Sequence, residues 1–417
     1  MGEKMAMKQT QTKLFDFSDV GLNFCAGSKA LFPDRFKKML SLGYNEQTVS
    51  SVAVTGNQVT FTYGGTHGYI ADRVLKVNAP ELLSINGGEF VIDSVTANTV
   101  TMTIDGAPTL ITGNFTTKVA SLGWSLEYES GQVQLYKMKY LDERDLYVRL
   151  VFPTIGAFRG SINVCVGKTA NLSTGVITDE NSIPEFRANL NAINGFEWQL
   201  CYLSVATYDN YTNPQGFNIF GQSCVVGSKY HMILMGNSGH TGGYAGYTYG
   251  ILPTALQKYE VLDYPVVIGI YNANALTSTG SVNQFNLITD NSSIYVGKIH
   301  TAIDLANNAN LVADQSANKV ASSFVSTNID SFNTSLAYPV SIFDKPSKQH
   351  LGFIAAGLYR FEARYGTTPA SSRLESPSTS MDIDLGHSLK LHVSNTAANA
   401  ASVLWFCAPI EEVKIAN

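Results

Sequence analysis

The first stretch with a chemical signature is residues 160–169, GSINVCVGKT, which ends like a phosphate-binding loop. Such a loop needs four residues between its glycines so that the backbone amide groups converge on a phosphate. Six residues, 161–166, separate Gly160 from Gly167, and the run Val164-Cys165-Val166 is typical of a strand. We therefore expect a strand that continues into a turn, and no cofactor-binding residue.

A second stretch, residues 236–240 with the sequence GNSGH, is one residue away from the Gly-x-Ser-x-Gly nucleophile elbow of hydrolases. His240 stands where the elbow needs a second glycine to avoid a steric clash. The residues that follow are rich in glycine and tyrosine and do not predict the helix that an elbow requires. We expect a loop over residues 236–250, of a composition typical of mobile or partner-binding loops.

Asp382, Asp384, His387 and His392 offer oxygen and nitrogen ligands at close spacing. In an extended chain the two aspartates point the same way, and the two histidines follow a turn at Gly386. A metal site is one interpretation of this pattern. Solvated strand and turn residues are the interpretation we favour, so we predict no metal ligand.

Three carboxylates, Asp142, Glu143 and Asp145, surround Arg144. A catalytic acid and base need a defined depth and separation. Spacing along the chain supplies neither, and we expect an exposed turn. We therefore predict no catalytic residue and expect that the protein is not an enzyme.

The elements around these groups are predicted to be short β-strands, which are clearest in residues 51–106. Val59 and Phe61 share one face of an early run, and Val100, Met102 and Ile104 share one face of a late run. Alternation with period two places one face of a strand on a core and the other in water. The predicted core of this unit consists of Val59, Phe61, Val74, Val77, Phe90, Ile92 or Val91, Val100 and Met102.

The same stretch resembles a small β-barrel module that recurs in structural proteins of tailed bacteriophages, and a related barrel is inserted in ubiquitin-activating enzymes. In the phage module a His-Gly pair precedes a Gly/Ala-Asp-x-Val strand, and an Asn-Gly-x-Phe hairpin follows. Here Gly88 adds one residue to the hairpin, and Val100 stands where an aromatic residue is common. We expect His67 to fix a turn. The positions that fill the pattern are His67, Gly68, Asp72, Val74, Asn86, Gly87, Phe90, Ile92, Ser94, Val95, Asn98 and Thr99.

The composition indicates a large core under a surface with few charges. Hydrophobic residues make up 45% of the 417 residues and charged residues 15%, against about 25% charged in ordinary globular proteins. A neutral, β-rich surface suits a protein that neighbours cover in an assembly, although adhesin-like secreted proteins have similar compositions. The net charge is −5 and the lysines and arginines are scattered, so we expect no nucleic-acid partner.

The cysteines and the distribution of apolar residues indicate the cellular compartment in which the chain folds. Cys25, Cys165, Cys201, Cys224 and Cys407 are far apart and odd in number, so they do not form a disulfide framework. We expect reduced, buried thiols and folding in a cytoplasm. Residues 1–13 lack the apolar stretch of a signal peptide, and no window approaches 18 apolar residues, so we expect no membrane span.

The predicted fold class is mainly β: a small β-barrel module plus a larger β-sandwich-like body with a few short helices. We divide the chain into an N-terminal arm and short helix (1–49), the barrel module (50–114) and the main body (115–417). A split of the body near residue 260 is an alternative. Residues 31–42 are predicted to be a helix that ends at Gly43. Residues 216–220 are predicted to be a strand, and His231 a satisfied core residue.

The N-terminal arm carries apolar side chains but is too short to form its own core. We expect it to cross onto a neighbouring subunit and to close a homo-oligomeric ring. The predicted assembly contacts are Leu14, Phe15, Phe17, Leu22 and Phe24.

These observations lead to one main hypothesis on function and two alternatives. The main one is a structural component of a tailed-phage virion, which assembles in the host cytoplasm as a ring in the tail, neck or baseplate. The expected partners are other copies of this protein and other virion proteins, and no cofactor is expected. The first alternative is a receptor- or glycan-binding tail-tip or head-decoration protein, whose tyrosines in residues 208–211 and 236–250 stack on sugars; those tyrosines equally suit strand edges. The second is a glycan hydrolase, which needs two carboxylates about 5–9 Å apart.

Overall fold

The computed structural model describes residues 8–79, 85–112, 115–154, 160–188, 195–201, 206–237, 246–272, 292–303, 335–363, 377–382, 387–394, 404–410 and 413–415. The fold is mainly β, as predicted, with 50% of the residues in strands and 11% in helices. Every strand pair among these residues is antiparallel, and most of the strands belong to three large sheets. Such sheets bury one face and so follow from the period-two patterns of the sequence.

The N-terminal segment begins with β1 (Lys8–Thr10) and β2 (Lys13–Asp16), and a continuous helical stretch follows. That stretch consists of a 3₁₀ turn (Lys29–Leu31), α1 (Phe32–Lys37) and a π-helical turn (Lys38–Leu42). Gly43 ends it with φ of 74°, a backbone conformation that favours glycine. The predicted helix over residues 31–42 is thereby confirmed. Its apolar face is buried and consists of Phe32, Phe36, Met39 and Leu40.

Seven strands form a barrel whose order is β6-β5-β9-β3-β4-β8-β7. The chain segment that contains β6 and β7 closes it, because the Ile92 amide donates to the Arg73 carbonyl and the Asp93 amide to the Thr101 carbonyl. The strands are β3 (Tyr44–Thr55), β4 (Gln58–Tyr63), β5 (Val74–Asn78), β6 (Glu89–Val91), β7 (Ser94–Val95), β8 (Thr99–Thr103) and β9 (Phe115–Val119). The barrel strands thus extend beyond residues 50–114 at both ends.

The barrel core agrees with the alternation in the sequence. Phe90 is only partly buried, and Val91 is 36% exposed while Ile92 is buried, so Ile92 is the core residue of that pair. The other predicted core residues are all buried: Val59, Phe61, Val74, Val77, Val100 and Met102. The same hydrophobic core continues into the helical stretch and the main body, so the barrel does not have a separate interior.

The main body contains a branched 15-stranded sheet. Its main path is β10-β11-β12-β13-β16-β21-β22-β23-β25-β26-β20, and a branch β2-β17-β18-β19 joins at β21. The strands new to this sheet are β10 (Ser125–Ser130), β11 (Val133–Lys139), β12 (Asp145–Val151), β13 (Ser161–Gly167), β16 (Gly195–Gln199), β17 (Cys224–Ser228), β18 (His231–Asn237), β19 (Gly246–Leu252), β20 (Thr254–Leu256), β21 (Val266–Asn272), β22 (Ser292–Val296), β23 (Ile299–Ile303), β25 (Ser341–Asp344) and β26 (His350–Ile354).

A second sheet of five strands packs on the first and makes the body sandwich-like. Its order is β24-β27-β30-β29-β28, and Phe406 and Ala408 belong to the same core cluster as Val226 and Ile233 of the large sheet. The strands are β24 (Ser335–Pro339), β27 (Tyr359–Ala363), β28 (Ser378–Asp382), β29 (His387–Ser394) and β30 (Leu404–Pro409). Two further pairs join β14 (Ala170–Asn171) to β15 (Val176–Ile177), and β1 to β31 (Val413–Ile415).

Two local predictions for the body are wrong. Residues 216–220 belong to helix α2 (Asn213–Phe220), because Thr212 and Gln215 form a capping box at its start. Residues 246–250 are part of the buried strand β19 and not of a loop. Gly250 lacks the Cβ atom that would lie 2.8 Å from the Met232 carbonyl oxygen, so glycine permits this close strand pairing. The remaining short helices are 3₁₀ turns at Pro184–Phe186, Ala206–Tyr208 and Glu260–Leu262.

The structure also corrects the predicted position of the N-terminal arm. Strand β2 pairs with β17 inside the large sheet, so the arm is an internal part of its own chain. The residues predicted to contact a neighbouring subunit are buried within this chain, each at most 4% exposed: Leu14, Phe15, Phe17, Leu22 and Phe24. Their apolar surface is already removed from water, so it is not available to a second subunit.

Candidate functional site

The described surface contains a cleft of about 850 Å³ between the β11–β12 turn and the segment that leads from β20 to β21. Strand β20 is an edge strand and so leaves one side of the cleft open. A cleft of this size is in the range of small-molecule sites. Its lining residues are Tyr140, Leu141, Asp142, Thr254, Ala255, Leu256, Gln257, Lys258, Tyr259, Glu260, Leu262, Asp263 and Ala355.

One wall of the cleft is rigid because Asp263 holds two cations. The Arg144 guanidinium donates to both carboxylate oxygens of Asp263, and Lys168 Nζ lies 3.0 Å from Oδ2. Hydrogen bonds from Arg144, together with those from Lys168, hold the pKa of Asp263 below its usual range despite partial burial. Asp263 is therefore a stable carboxylate near neutral pH and is not suited to act as a general acid.

Tyrosines support the same wall. The Arg144 guanidinium carbon lies 4.7 Å from the centroid of the Tyr140 ring, and Lys168 Nζ lies 4.3 Å from that of Tyr264. The Tyr264 hydroxyl donates to Asp179 at 2.9 Å. Burial, with this hydrogen bond, raises the pKa of Tyr264. Cation–π contacts and hydrogen bonds of this kind fix side-chain orientations in the wall.

The opposite wall is open to solvent and carries an aromatic ring. Tyr259 is 61% exposed, and the lining residues beside it, Gln257, Lys258 and Glu260, are also exposed. Together with the exposed Asp142 across the cleft, this wall combines an aromatic face with hydrogen-bond donors and acceptors. Such a combination can bind a polar molecule by stacking and hydrogen bonding.

The charged turn that the sequence places at Asp142, Glu143 and Asp145 is a solvated hairpin turn, as predicted. Lys139 Nζ lies 2.6 Å from Asp145 Oδ1. Glu143 accepts a hydrogen bond from the Tyr230 hydroxyl. The structure therefore gives each carboxylate a structural partner and does not pair two of them as an acid and a base.

The phosphate-loop-like stretch is a strand, as expected. Residues 161–167 form β13, every residue of which is buried between β12 and β16. A continuous strand has its amide groups in sheet hydrogen bonds and cannot wrap around a phosphate. In the elbow-like stretch, Gly236 and Asn237 end strand β18, and residues 238–240 lie outside the described residues.

Among the described members of the aspartate–histidine group, His392 lies apart from the other two in the sheet register. Asp382 pairs with His387 across the β28–β29 hairpin, whereas Asp384 lies outside the described residues. His392 is five residues beyond His387 in β29, on the other face of the strand. Its buried ring donates from Nε2 to the Gly236 carbonyl at 2.8 Å, and it therefore fixes the contact between the two body sheets. Burial lowers the pKa of His392 to about 3.

His67 and His231, the other two histidines for which a role was predicted, behave largely as predicted. His67 accepts the Tyr69 amide at Nδ1 and contacts the carbonyls of Thr96 and Thr99 from Nε2, so it fixes a turn of the barrel. His231 is buried, and its Nδ1 lies 2.9 Å from Ser228 Oγ. Its Nε2 has no hydrogen-bond partner among the residues described, so this core histidine is only half satisfied. Burial lowers its pKa to about 4.

The thiols and two of the tyrosines singled out in the sequence lie in the core. All five cysteines are buried thiols outside any disulfide, as predicted, and burial raises the pKa of Cys165 and Cys224 to about 12. Tyr247 and Tyr249 stack with ring centroids 5.0 Å apart inside the body. These two rings are therefore not available to a sugar, and the strand-packing interpretation is correct for them.

The cleft residues were not found by reading the sequence. Tyr259 and Asp263 lie in one segment without a motif, and Lys168 lies at the end of the phosphate-loop-like stretch, where nothing indicates that it contacts Asp263. Only folding brings Lys168 to Asp263 over 95 positions. The one signal in the sequence is the run Gln-Lys-Tyr-Glu at 257–260, in which a tyrosine stands among polar residues. Alternation analysis does not separate such a run from an ordinary surface turn.

Comparisons with known proteins add no identification. No protein-family model matches the sequence, and no curated protein is significantly similar to it. Among the described residues, no three His, Cys, Asp or Glu side chains converge as a metal-binding group. The described part of the chain also contains no helix that is both long and apolar enough to cross a membrane.

Proposed function

We propose that this protein is a structural subunit of a tailed-phage virion, which assembles as a symmetric ring in the tail, neck or baseplate. The observation that carries the proposal is the barrel, because the motif positions shared with the phage module perform the structural tasks that such a module needs. His67 fixes a turn, Asp72 and Gly87 adopt positive φ, and Asn86 accepts the Ala79 amide. Turn chemistry of this kind supports a shared fold and leaves the role in a particle as a proposal.

The surface of the N-terminal segment and the barrel supports a role in assembly. Val20 and Ile70 are 52% and 45% exposed. Val20 lies against Gly68, two positions before Ile70, because a Cβ atom at Gly68 would approach Val20 Cγ2 to 2.8 Å. We propose this patch, formed where the N-terminal segment meets the barrel, as a contact between subunits in place of the buried arm residues. Exposed apolar side chains of this kind mark protein contacts when they form a patch.

The test has two parts, because a ring subunit must both oligomerise and enter particles. Multi-angle light scattering of the purified protein is expected to give a defined oligomer, and electron microscopy is expected to show rings. Antibody labelling of purified particles is expected to place the protein in the tail, neck or baseplate. A protein that stays monomeric at all concentrations and is absent from the particle fraction would contradict the proposal.

A second candidate function is receptor or glycan binding, and the cleft with its exposed Tyr259 is the observation that favours it. The cleft carries Asp142 and Glu260 against Lys258, while Asp263 is neutralised by Arg144 and Lys168. This charge distribution disfavours an anionic polymer and suits a neutral sugar. In this candidate function the cleft binds without hydrolysis, because Asp263 is a paired carboxylate.

A glycan array followed by titration calorimetry tests this candidate. Tyr259→Ala is expected to weaken binding of an array hit at least tenfold, and Leu110→Ala, at an exposed position in the barrel (70%), is the control. Equal binding by both variants and the parent protein would exclude the cleft as the site. Release of reducing sugar from host envelope material would instead support the hydrolase interpretation.

A further inference from the structure

One edge of strand β20, the edge that faces away from β26, is not covered by another strand of the described chain. Where β20 meets β26, the Gln257 amide donates to the Leu351 carbonyl at 2.9 Å. In an antiparallel pair, hydrogen-bonded positions alternate with positions whose amide and carbonyl groups point away from the partner strand. Thr254 and Leu256 occupy these alternate positions, so their backbone groups point away from β26.

Of these two positions, Leu256 is the one that opens into the cleft. At Thr254 the chain itself covers the edge, because the Tyr140 hydroxyl lies 3.0 Å from Thr254 Oγ1, which donates to the Tyr264 carbonyl. Leu256 lines the cleft, and among the hydrogen bonds of the described residues none involves its amide or its carbonyl. An amide and a carbonyl that point the same way from an edge strand are a template for another extended chain.

We propose that the cleft binds an extended peptide segment, which adds to β20 through a pair of hydrogen bonds with the backbone of Leu256. A peptide residue in an extended conformation carries a carbonyl and an amide at the spacing that this pairing requires. The sugar of the second candidate function has no such fixed pair of groups. The peptide is therefore a different class of ligand for the same cleft, and its binding does not depend on a role in a particle.

The charges on the cleft walls favour a segment without net charge. Carboxylates and cations balance there: Asp142, Glu260 and Asp263 against Arg144, Lys168 and Lys258. A charged segment would meet no matching excess of the opposite sign. The exposed ring of Tyr259 and the side chain of Leu256 supply apolar contact. We therefore expect an uncharged segment with an apolar residue opposite Leu256.

The open edge is short, which limits how much of the affinity it can supply. Strand β20 has three residues, and just beyond it the Tyr259 amide donates to the Gln257 carbonyl at 2.8 Å, so the chain turns away from the edge. One residue pair with two hydrogen bonds therefore fits, and the cleft walls must supply the remaining contacts. Binding is expected to depend on both the Leu256 backbone and the Tyr259 ring.

An array of short uncharged peptides, probed with the full-length protein, tests the proposal. A fluorescent copy of the best-binding peptide is then titrated by fluorescence polarisation, with one backbone nitrogen methylated at a time. Methylation of the nitrogen that donates to the Leu256 carbonyl is expected to weaken binding about tenfold. Methylation of either adjacent residue is expected to weaken it less than about threefold, because successive amides of a strand point in opposite directions. A scan without this alternation would contradict strand addition.

Two variants at one position separate the backbone of β20 from its side chains. Leu256→Pro removes the amide that faces the cleft, at a position where an edge strand tolerates proline, and is expected to weaken peptide binding about tenfold. Leu256→Ala keeps the amide and is expected to weaken binding less than about threefold. Where Leu256→Pro does not fold, the methylation scan on the parent protein decides. No binding peptide in the array, or equal binding by Leu256→Pro and the parent, would overturn the proposal, and a sugar that binds both equally would assign the cleft to the second candidate function.

Discussion

Arg73 and Asp19 form a bidentate ion pair in the interior, with Arg73 Nε and Nη2 donating to Asp19 Oδ2 and Oδ1 at 2.8 and 2.9 Å. Both side chains are nearly inaccessible, with exposed fractions of 8% and 5%. Tyr44 donates a third hydrogen bond to the same carboxylate at 2.7 Å. The pair joins the barrel to the N-terminal segment, so it links two parts of the chain that the sequence presents as separate.

Removal of one member of this pair is expected to be strongly destabilising. Asp19→Asn and Arg73→Met are each expected to lower the free energy of unfolding by about 3–5 kcal/mol, because each leaves a buried polar partner unpaired. The double variant is expected to lose less free energy of unfolding than the sum of the losses in the two single variants. Asp34→Asn, which breaks an exposed ion pair with Arg35, serves as the control and is expected to cost under about 1 kcal/mol. Urea denaturation measures all four; additive losses would contradict the pairing.

The N-terminal segment is expected to be essential for folding. Phe17 is fully buried and stacks on Phe24 with ring centroids 3.9 Å apart. Phe17→Ala is therefore expected to cost about 3–5 kcal/mol, whereas Val20→Ser, at an exposed neighbour, should change stability by less than about 0.5 kcal/mol. Removal of residues 1–28 also removes strand β2 and should abolish the cooperative thermal transition seen by circular dichroism. A truncated protein that still unfolds cooperatively would restore the free-arm interpretation.

Stability is expected to fall on mild acidification because two histidines are buried in neutral form. Burial lowers the pKa of His231 to about 4 and that of His392 to about 3, below the ordinary value of 6.5. As the pH falls, these two histidines therefore bind protons at a higher pH in the unfolded chain than in the folded chain. The stabilisation is fully present above pH 6.5 and is lost as the pH falls toward 4, by up to about 1.4 kcal/mol per pH unit for each histidine.

Denaturation titrations at several pH values between 5 and 7 measure how steeply the free energy of unfolding changes with pH. This range lies above the pH at which most carboxylates titrate. His231→Gln is expected to reduce the slope by about one proton, whatever its effect on absolute stability. A slope that is identical in the variant would show that His231 is protonated in the folded state.

The proposed assembly patch can be tested without disturbing the core. Val20→Asp combined with Ile70→Asp is expected to shift the oligomer to monomers, because two desolvated carboxylates in a contact are costly. The melting temperature of the monomeric form should change little, since both positions are exposed. The double substitution Leu110→Asp and Leu172→Asp, at exposed positions elsewhere, is the control. An unchanged oligomer in light scattering would exclude the Val20–Ile70 patch as the contact.

The sequence alone predicted the elements whose signals are local. The alternation of Val59 and Phe61, the helix from residue 31 to Leu42 with its stop at Gly43, and the turn at His67 all depend on neighbours a few positions away. The apolar context of the cysteines likewise predicted their burial. Where prediction failed locally, at α2, the capping signal of Thr212 and Gln215 was present but was outweighed by the apolar residues around it.

Only the tertiary structure decided what the N-terminal segment contacts and which polar groups meet. The sequence identifies Phe15 as an apolar residue but does not show which residues bury it. Only the pairing of β2 with β17 places Phe15 in the core of its own chain. The pair of Asp19 with Arg73 and the clamp of Arg144 and Lys168 on Asp263 both join residues far apart in sequence. Their encounter depends on strand order and register, which long-range packing sets and local residue preferences do not encode.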